Sequence, residues 1–398
     1  MQFEEMKQRL DGLVIFRELL DDDVVAAFCG MLHARCQENA DAFTNRCAAF
    51  EARLFHHGDN WARYLHKIVM ESENICIRRC ASGAVTPILE KSLRQELAFL
   101  DELARVRLEE LIEGLENAPV FLVGWLTDSG SIAADYEQRM REVGSKGYGL
   151  FARYHMFTVE NGQLVPVKHP DPQRLEQLPG YEKEREKVIA NTRALLEGKP
   201  ANNVLLYGDA GTGKSSTIKA IANHFAAQGL RLVEIKKNQL YQIPDLMDTL
   251  AANPLKFILF IDDLSFTAND DNFTALKAIL EGSVGGRAQN IVVYATSNRR
   301  HLIKETLTYR AGDDIHESDT RQELMSLSAR FGLTITFGSP DKERYLYIVN
   351  QLAKQYDVEM DERELGIRSE AFAIRMGGRS ARVAKQFVEL CKAGVYNQ

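Results

Sequence analysis

An eight-residue segment with the pattern G-x-x-x-x-G-K-[ST] runs from Gly208 to Ser215. An apolar run from Val204 to Tyr207 precedes it, and a run with apolar residues at helical spacing follows it. A strand, a glycine-rich turn and a helix N-terminus in this order direct backbone N–H groups at phosphate oxygens. The alternative, a plain glycine-rich turn, is disfavoured because the flanking strand and helix are both present. The segment therefore predicts binding of a nucleoside triphosphate.

The chemistry of such a loop gives its polar residues separate tasks. Lys214 is expected to reach the β- and γ-phosphates of ATP, and the hydroxyl of Ser215 is expected to ligate Mg²⁺. ATP and Mg²⁺ are therefore the expected cofactors. The predicted nucleotide-binding residues of the loop are Gly208, Asp209, Ala210, Gly211, Thr212, Gly213, Lys214, Ser215 and Ser216.

Composition limits the class of protein further. The 398 residues allow two or three domains, and 45% hydrophobic with 26% charged residues is typical of globular proteins. The net charge of -7 argues against a general electrostatic grip on nucleic acid, although a local basic patch stays open. No leader pattern or membrane-length apolar run is found, so we expect a cytoplasmic protein without membrane contact. The six cysteines follow no C-x-x-C spacing and are expected to be reduced.

The first part of the chain carries helical patterns and then a hairpin signal. Residues 1–145 read as helix after helix, which predicts an N-terminal, mainly helical domain. Asn161 and Gly162, between two apolar runs, predict a β-hairpin, and proline-containing turns follow it. We assign residues 146–179 to this hairpin and a linker, and expect the hairpin to mark a domain edge.

The rest of the chain alternates strand-like and helical runs. Five strand-like runs within residues 180–339 predict a parallel five-stranded sheet covered on both faces. Residues 340–398 carry three helical runs, the first expected to begin with Ser339 as N-cap and Pro340 as first residue. The expected fold class is α/β, with a nucleotide-binding core and a C-terminal helical lid.

Two carboxylates end one of the predicted buried strands. Asp262 and Asp263 follow the apolar run from Phe257 to Ile261, at the strand edge beside the phosphate loop. Asp262 is the candidate partner of Mg²⁺, with Ser215, and Asp263 the candidate base that polarises the attacking water. Paired aspartates also occur in plain turns and helix caps. The phosphate loop upstream favours the catalytic interpretation.

The next predicted strand ends in an amide and leads into basic residues. Asn298 can orient water or the γ-phosphate without competing for Mg²⁺, the alternative being a structural loop asparagine. The basic cluster after it contacts a neighbouring subunit or nucleic acid in one interpretation and is a solvated loop in the other. It consists of Arg299, Arg300, His301 and Lys304.

The phosphate loop, the two strand ends, the segment from Ser326 to Gly332 and the helical C-terminus together resemble the AAA+ ATPases. The resemblance covers roughly residues 180–398. Four shorter stretches are similar to a bacterial family of AAA+ proteins of unknown function. These are residues 208–216, 262–266, 276–282 and 294–302.

This resemblance implies further roles. Asn298 matches the first sensor, and Arg330 matches an arginine finger that reaches the ATP of an adjacent subunit and raises turnover by about 10³ to 10⁵. Arg382 resembles the second sensor, with Arg379 as the competing assignment. Without the resemblance, Arg330 reads as an exposed charge or an intrasubunit ion pair, and Arg382 as a solvated helix residue. A homo-oligomer follows if Arg330 acts in trans.

One departure from the family pattern affects the expected activity. Most AAA+ proteins have Asp-Glu where this chain has Asp262-Asp263, so the candidate base is one methylene shorter, and Glu281 is a distant alternative. The leading hypothesis is an ATPase that couples Mg-ATP hydrolysis in an oligomer to remodelling of an unknown protein or nucleic acid. A nucleotide-gated adaptor or loader with slow turnover is the alternative. A small-molecule kinase is disfavoured by Arg330 and the helical C-terminus.

Overall fold

The computed structural model describes residues 2–116, 121–128, 130–264, 276–277, 279–280, 288–298 and 329–396. The chain divides into two compact units, Met1–Arg153 and Tyr154–Gln398. Each unit has a hydrophobic core of its own. The boundary therefore falls at Arg153 and not at residue 145, where the helical sequence pattern becomes weaker.

The first unit is built of helices. They are α1 (Gln2–Asp11), α2 (Asp23–Cys36), α3 (Ala40–Phe55), α4 (Trp61–Glu71), α5 (Ile75–Ala81), α6 (Pro87–Ala104), α7 (Leu108–Ile112), α8 (Ile132–Arg141), α9 (Val143–Lys146) and α10 (Leu150–Arg153), with a 3₁₀ turn at Arg17–Asp21. Polar side chains accept first-turn N–H groups at the N-termini of α2 to α6. These caps define where the helices begin, because the first-turn N–H groups have no partner inside a helix.

Aromatic side chains form the centre of the first unit's core. Phe28 stacks on Trp61 with ring centroids 4.7 Å apart. Phe50 contacts Trp61 and Trp125 edge-on, at 5.3 and 4.8 Å. Each indole N–H donates a hydrogen bond of 2.9 Å to a backbone carbonyl, so the buried polar edges are satisfied. The chain has two tryptophans, and both lie in this cluster.

The second unit contains a mixed sheet. Its strands are β1 (Met156–Glu160), β2 (Gln163–Pro166), β3 (Val204–Gly208), β4 (Leu230–Glu234), β5 (Lys256–Ile261), β6 (Ile291–Ser297) and β7 (Leu333–Phe337). Their order is β2-β1-β4-β5-β6-β3-β7, and the paired strands are parallel except at β1–β2. The predicted parallel five-stranded core is present as β4-β5-β6-β3-β7. Every residue of β6 is buried, as expected for a sheet covered on both faces.

The hairpin is part of this sheet and does not belong to a linker. Asn161 and Gly162 have φ angles of 50° and 78° and form the predicted two-residue turn between β1 and β2. Strand β1 pairs in parallel with β4, with Met156 opposite Leu232. Met156 and Phe157 are buried. The sheet therefore has seven strands among the described residues, because the apolar face of β1 packs in the core of the second unit.

Helices cover the sheet and form the C-terminal lid. They are α11 (Glu182–Leu196), α12 (Lys214–Phe225), α13 (Ile243–Ala251), α14 (Lys342–Gln355), α15 (Glu362–Arg375) and α16 (Ala381–Lys392), with 3₁₀ turns at Leu175–Gln177, Ala226–Gln228 and Lys237–Gln242. Within the described ranges, no helix combines the length and the apolar character that crossing a bilayer requires.

The lid begins at a different cap from the predicted one. Helix α14 starts at Lys342, and the carboxylate of Asp341 accepts the N–H of Arg344 at 2.8 Å. The prediction of Ser339 as N-cap and Pro340 as first helical residue was wrong. The residue before a proline is biased towards extended conformations, and an aspartate cap is available at the next position.

Candidate active site

The loop between β3 and α12 lies directly against the end of β7. Gly208 has φ 135°, and a Cβ atom there would lie 2.1 Å from the carbonyl oxygen of Phe337. The N–H of Asp209 donates to the same oxygen at 3.1 Å. Gly213, with φ 92°, immediately precedes the first residue of α12. Only glycine fits at position 208 without displacing β7, so the loop follows a fixed path to the N-terminus of α12.

Lys214 is the buried cation of this loop. It is 5% exposed, and its Nζ donates to the carbonyl oxygens of Gly208 and Asp209 at 2.9 and 2.7 Å. Burial lowers the pKa of the Lys214 amine, and the nearby carboxylates of Asp209, Asp262 and Asp263 oppose this shift. Carbonyl oxygens are weaker partners for an ammonium group than phosphate oxygens are. The geometry therefore suits exchange of these partners for an anion.

Ser215 and Asp262 lie together at the carboxyl edge of the sheet, as the sequence predicted. The Ser215 hydroxyl donates to Asp262 Oδ1 at 2.6 Å. Thr296 donates to the same carboxylate oxygen from the end of β6. Thr296, which is 2% exposed, was not predicted from the sequence as a site residue. The parallel register, which places Ile261 opposite Ala295, puts the next residues, Asp262 and Thr296, side by side.

The donor set at this edge fits magnesium. Mg²⁺ prefers oxygen ligands, keeps several waters and takes only one or two protein carboxylates beside substrate phosphates. Ser215 and Asp262 supply one hydroxyl and one carboxylate at hydrogen-bond distance from each other. Within the part of the chain that the structure describes, no group of three or more His, Cys, Asp or Glu side chains is assembled for a metal. Ser215 and Asp262 are therefore the residues that would hold the ion.

Asp263 and Asn298 form a second pair beside the first. Asn298 Nδ2 donates to Asp263 Oδ1 at 2.8 Å. The backbone of Asp263 has φ 51°, and its N–H donates to the Thr296 hydroxyl at 2.9 Å. A positive φ at a non-glycine residue costs energy and is held here by the neighbouring strand. This turn places the Asp263 carboxylate outside the strand, where it faces Asn298 and solvent.

The two candidate lid arginines have different surroundings. Arg379 forms a bidentate ion pair with Glu370, with Nε and Nη2 at 2.8 and 2.6 Å from the two carboxylate oxygens. This contact lowers the pKa of Glu370 and raises that of Arg379. Arg382 lies against the phosphate loop instead, and its backbone N–H donates to the Gly211 carbonyl at 2.9 Å. A Cβ atom on Gly211 would lie 3.1 Å from Cβ of Arg382.

Arg330 lies at the opposite edge of the sheet. It precedes β7, whose first residue, Leu333, is opposite Val204 at the start of β3. Strand β3 runs from Val204 to Gly208 before the loop begins, which is about 13 Å at the usual rise of a strand. Arg330 is thus not brought together with Lys214 and Asp262 of its own chain. The structure assembles every other predicted catalytic residue at one edge.

The remaining predicted residues divide into two groups. Thr212 is 2% exposed and donates to the Asp209 carbonyl at 2.9 Å, while Ala210 is exposed and Ser216 half-buried. The other predictions lie outside the described residues. These are the basic cluster (Arg299, Arg300, His301 and Lys304), the alternative carboxylate Glu281, and the sequence-similar residues 265–266, 278, 281–282, 299–302 and 326–328.

Three features define the class of protein. The phosphate loop follows β3 of the parallel part of the sheet, carboxylates follow β5 two strands away, and the helical lid lies against the loop. The fold is that of an AAA+ P-loop ATPase. A family model described as "Protein of unknown function (DUF815)" matches residues 151–395. The chain belongs to this family. The resemblance noted from the sequence is confirmed.

Two curated relatives are similar to parts of the chain. Holliday junction branch migration complex subunit RuvB of Koribacter versatilis (strain Ellin345) is 27% identical over 233 residues, 53% of this chain and 61% of the relative. AAA-ATPase At5g57480 of Arabidopsis thaliana is 26% identical over 145 residues, 34% of this chain and 26% of the relative. The chain thus spans 61% and 26% of the lengths of these relatives.

Two solved structures are similar to part of the chain. A variant of RuvB from Thermotoga maritima is 20% identical, with a TM-score of 0.38, and the match covers 55% of this chain and 63% of that one. A second variant of the same protein is 18% identical, with a TM-score of 0.37.

Proposed function

We propose that this protein binds and hydrolyses Mg-ATP and, as an oligomer, uses the hydrolysis to remodel a macromolecular partner. The observation that carries the proposal is the pairing of Ser215 with Asp262 at 2.6 Å beside the pairing of Asn298 with Asp263 at 2.8 Å. Both pairs lie at the carboxyl edge of the sheet, next to the positive end of α12. Oxygen donors for magnesium and a carboxylate for water thus adjoin a phosphate site.

Each side chain at this edge has a task in the proposed reaction. Lys214 binds the β- and γ-phosphates after leaving the carbonyls of Gly208 and Asp209. Mg²⁺, when bound by Ser215 and Asp262, supplies charge neutralisation for the phosphates. Asp263 orients the attacking water and accepts its proton, and Asn298 holds the Asp263 carboxylate in place.

Arg330 supports an oligomeric enzyme. It precedes β7 at the amino end of the strands, whereas the phosphate loop follows β3 at their carboxyl end. In the proposed oligomer, the guanidinium at that edge contacts an ATP bound by a neighbouring copy. In trans it would stabilise the charge that develops on the transferred phosphoryl group, and Arg382 would contribute from the lid of the same chain. The site is then complete only at a subunit interface.

The partner stays open between protein and nucleic acid. One curated relative is a subunit of a Holliday junction branch migration complex, which makes a nucleic acid one candidate. The net charge of -7 favours a protein partner or a local basic contact over a general electrostatic grip on nucleic acid. Hydrolysis would move the lid against the core and change contacts that the partner makes.

A nucleotide-gated loader with slow turnover is a second candidate, and the geometry of Asp263 favours it. Its carboxylate is one methylene shorter than a glutamate and is already bonded to Asn298. A base held back from the water retards hydrolysis while leaving binding intact. Multiple rapid turnovers would support the remodelling enzyme, whereas one slow turnover with nucleotide-dependent partner binding would support the loader.

The test mixes two inactive variants. Lys214→Ala is expected to lose nucleotide binding by about a hundredfold or more, because a charged contact to phosphate is removed. Arg330→Ala is expected to bind ATP but to turn it over at least about 10³-fold more slowly. In mixed oligomers, Arg330→Ala subunits bind ATP and Lys214→Ala subunits supply the arginine, so hydrolysis should return at mixed interfaces.

The controls separate the parts of this proposal. Adding a Lys214→Ala, Arg330→Ala double variant to Arg330→Ala must restore nothing. Recovery with the single variant alone supports the shared site. No recovery, with mixed oligomers verified by mass, would show that Arg330 does not act across an interface. A wild-type protein that binds Mg-ATP but never releases phosphate would refute the hydrolysis.

A further inference from the structure

Asp209, the second residue of the phosphate loop, connects the catalytic lysine with the start of the lid. Its carbonyl oxygen accepts from Lys214 Nζ at 2.7 Å. Its N–H donates to the Phe337 carbonyl at 3.1 Å, and its carboxylate Oδ2 accepts the N–H of Ser339 at 2.7 Å. Ser339 lies between the last strand and α14, so one residue contacts both the phosphate-binding cation and the segment from which the lid departs.

The same segment is held from its other side. The hydroxyl of Tyr181 donates to the Gly338 carbonyl at 2.6 Å, and its ring stacks on Phe337 with centroids 5.2 Å apart. Arg344, on the first helix of the lid, lies over the Tyr181 ring at 4.8 Å. Burial raises the pKa of Tyr181 to about 12, so the phenol stays a donor throughout the neutral range. The connection to the lid is thus fixed between Tyr181 and Asp209.

The lid also contacts the loop at its far end. The backbone N–H of Arg382, in the first turn of α16, donates to the carbonyl of Gly211 at 2.9 Å. Ser380, the N-cap of α16, lies 3.1 Å from the position of a Cβ atom on Gly211. The loop is therefore attached to the segment before the first helix of the lid, through the side chain of Asp209, and to the first turn of the last helix.

We propose that Asp209 is a positioning residue that transmits occupancy of the phosphate loop to the lid. The inference rests on the proposed function, because it assumes that Lys214 binds phosphate. When Lys214 turns to phosphate, the Asp209 carbonyl loses its cation but keeps the hydroxyl of Thr212 as a donor, so the peptide unit can change position without losing all of its restraint. The carboxylate of the same residue carries the Ser339 N–H with it. Asp209 thus contacts the lysine on one side and the segment before the lid on the other. A ligand that changes the first contact can therefore change the second.

The experiment measures amide hydrogen exchange in the full-length protein by mass spectrometry, with and without saturating Mg-ADP. The reporter is the peptide from Phe337 to Asp341, in which Pro340 has no amide and Ser339 contributes strongly. In the wild type, Mg-ADP should slow exchange of this peptide by about tenfold. In Asp209→Ala, exchange without nucleotide should rise by about tenfold, because one hydrogen bond is lost, and Mg-ADP should no longer change it.

Two further variants make the result specific. Asp209→Asn keeps an oxygen that accepts the Ser339 N–H and should restore most of the nucleotide response. Asp361→Ala removes another carboxylate that accepts lid N–H groups, those of Arg363 and Glu364 at the start of α15. It should speed exchange at α15 and leave the response of the 337–341 peptide as in the wild type. Each variant is saturated with Mg-ADP by its own titration.

The outcomes distinguish this inference from the proposed function. A full Mg-ADP response in Asp209→Ala, or an equal loss of response in Asp361→Ala, overturns the role of Asp209. Loss of the response in Asp209→Ala together with recovery in Asp209→Asn supports it. A wild type that binds Mg-ADP but does not hydrolyse ATP refutes the proposed activity and leaves this result standing, since the exchange measurement requires binding alone.

Discussion

Polar side chains make different contacts in the helical unit and at the sheet edge of the second unit. In the helical unit, Glu96 and Arg35 hold backbone segments in place. Glu96 accepts the N–H groups of Val14, Ile15 and Phe16 at 3.0 to 3.1 Å, which fixes the chain between α1 and the following 3₁₀ turn. The side chain of Arg35 donates to two backbone carbonyls in the same way. Such a side chain cannot change its partner without disordering the segment that it holds.

In the second unit the polar groups at the sheet edge bond to one another. Ser215 and Thr296 both donate to Asp262, and Asn298 donates to Asp263. Each of these contacts can be exchanged for a contact with substrate or metal while the strands stay paired. Glu96 and Arg35 are buried, whereas Asp262, Asp263 and Asn298 are exposed. Burial of a polar side chain therefore does not by itself indicate function, and the kind of partner is more informative.

The largest expected effect is on the core of the helical unit. Phe50→Ala removes the ring that contacts both tryptophans and should lower the free energy of unfolding of this unit by about 4 kcal/mol. Because both tryptophans of the chain lie here, their fluorescence reports on this unit alone in urea titrations of the full-length protein. Nucleotide binding by the second unit should be unchanged.

Phe55→Ala is the matched control for that change. Phe55 ends the same helix, α3, but is 49% exposed, so its loss should cost less than about 0.5 kcal/mol. Equal effects of the two variants would contradict the description of Phe50 as the centre of the core. A loss of nucleotide binding in Phe50→Ala would show that the two units unfold together.

The next effect sharpens the comparison at the sheet edge. Thr296→Val keeps the shape but removes the hydroxyl between the two aspartates, and should lower kcat for ATP by about thirtyfold, or about 2 kcal/mol. The tryptophan unfolding curve should not move. Thr334→Val, at an exposed position of β7, is the control and should leave kcat unchanged. A kcat within about twofold of wild type in Thr296→Val would mean that the hydroxyl only fills space.

Local patterns explain which parts of this site were predictable. The phosphate loop, the aspartates after β5 and the hairpin turn each depend on adjacent residues, and the structure contains all three elements. The cap of α14 is also local, but Ser339 and Asp341 are both suitable caps two residues apart. The sequence offered no means to decide between them, whereas the contact of Ser339 with Asp209 does.

Contacts between distant segments explain what the sequence missed. In the sequence alone, Thr296 cannot be distinguished from any other hydroxyl residue at the end of a strand. The pairing of β5 with β6 places it beside Asp262. Arg379 and Arg382 lie three positions apart and are equally basic. Only the packing of α15 shows that Glu370 holds Arg379, while Arg382 adjoins the phosphate loop. The place of the hairpin in the sheet was also not predicted, because its pairing with β4 is a contact between distant segments.

The smallest expected effect concerns Glu51, a carboxylate of the helical unit whose pKa is raised. Glu51 is buried, and its carboxylate accepts the N–H of Gly124 at 3.0 Å. Burial raises the pKa of Glu51, and the Gly124 contact opposes this shift only in part. Folding therefore disfavours the charged form of Glu51.

The sign of the pH dependence follows from this shift. The folded state takes up a proton on Glu51 at higher pH than the unfolded state does, so the destabilisation is complete above the folded pKa and disappears as pH falls through it. Glu51→Gln should raise the free energy of unfolding by less than about 1 kcal/mol at pH 7 and by less at pH 5, measured by tryptophan fluorescence. Glu137 is exposed, and Glu137→Gln should change the free energy of unfolding equally little at pH 7 and pH 5. A stabilisation by Glu51→Gln that is equal at both pH values would indicate a packing effect, and a destabilisation would place Glu51 with Glu96 among the side chains that hold backbone.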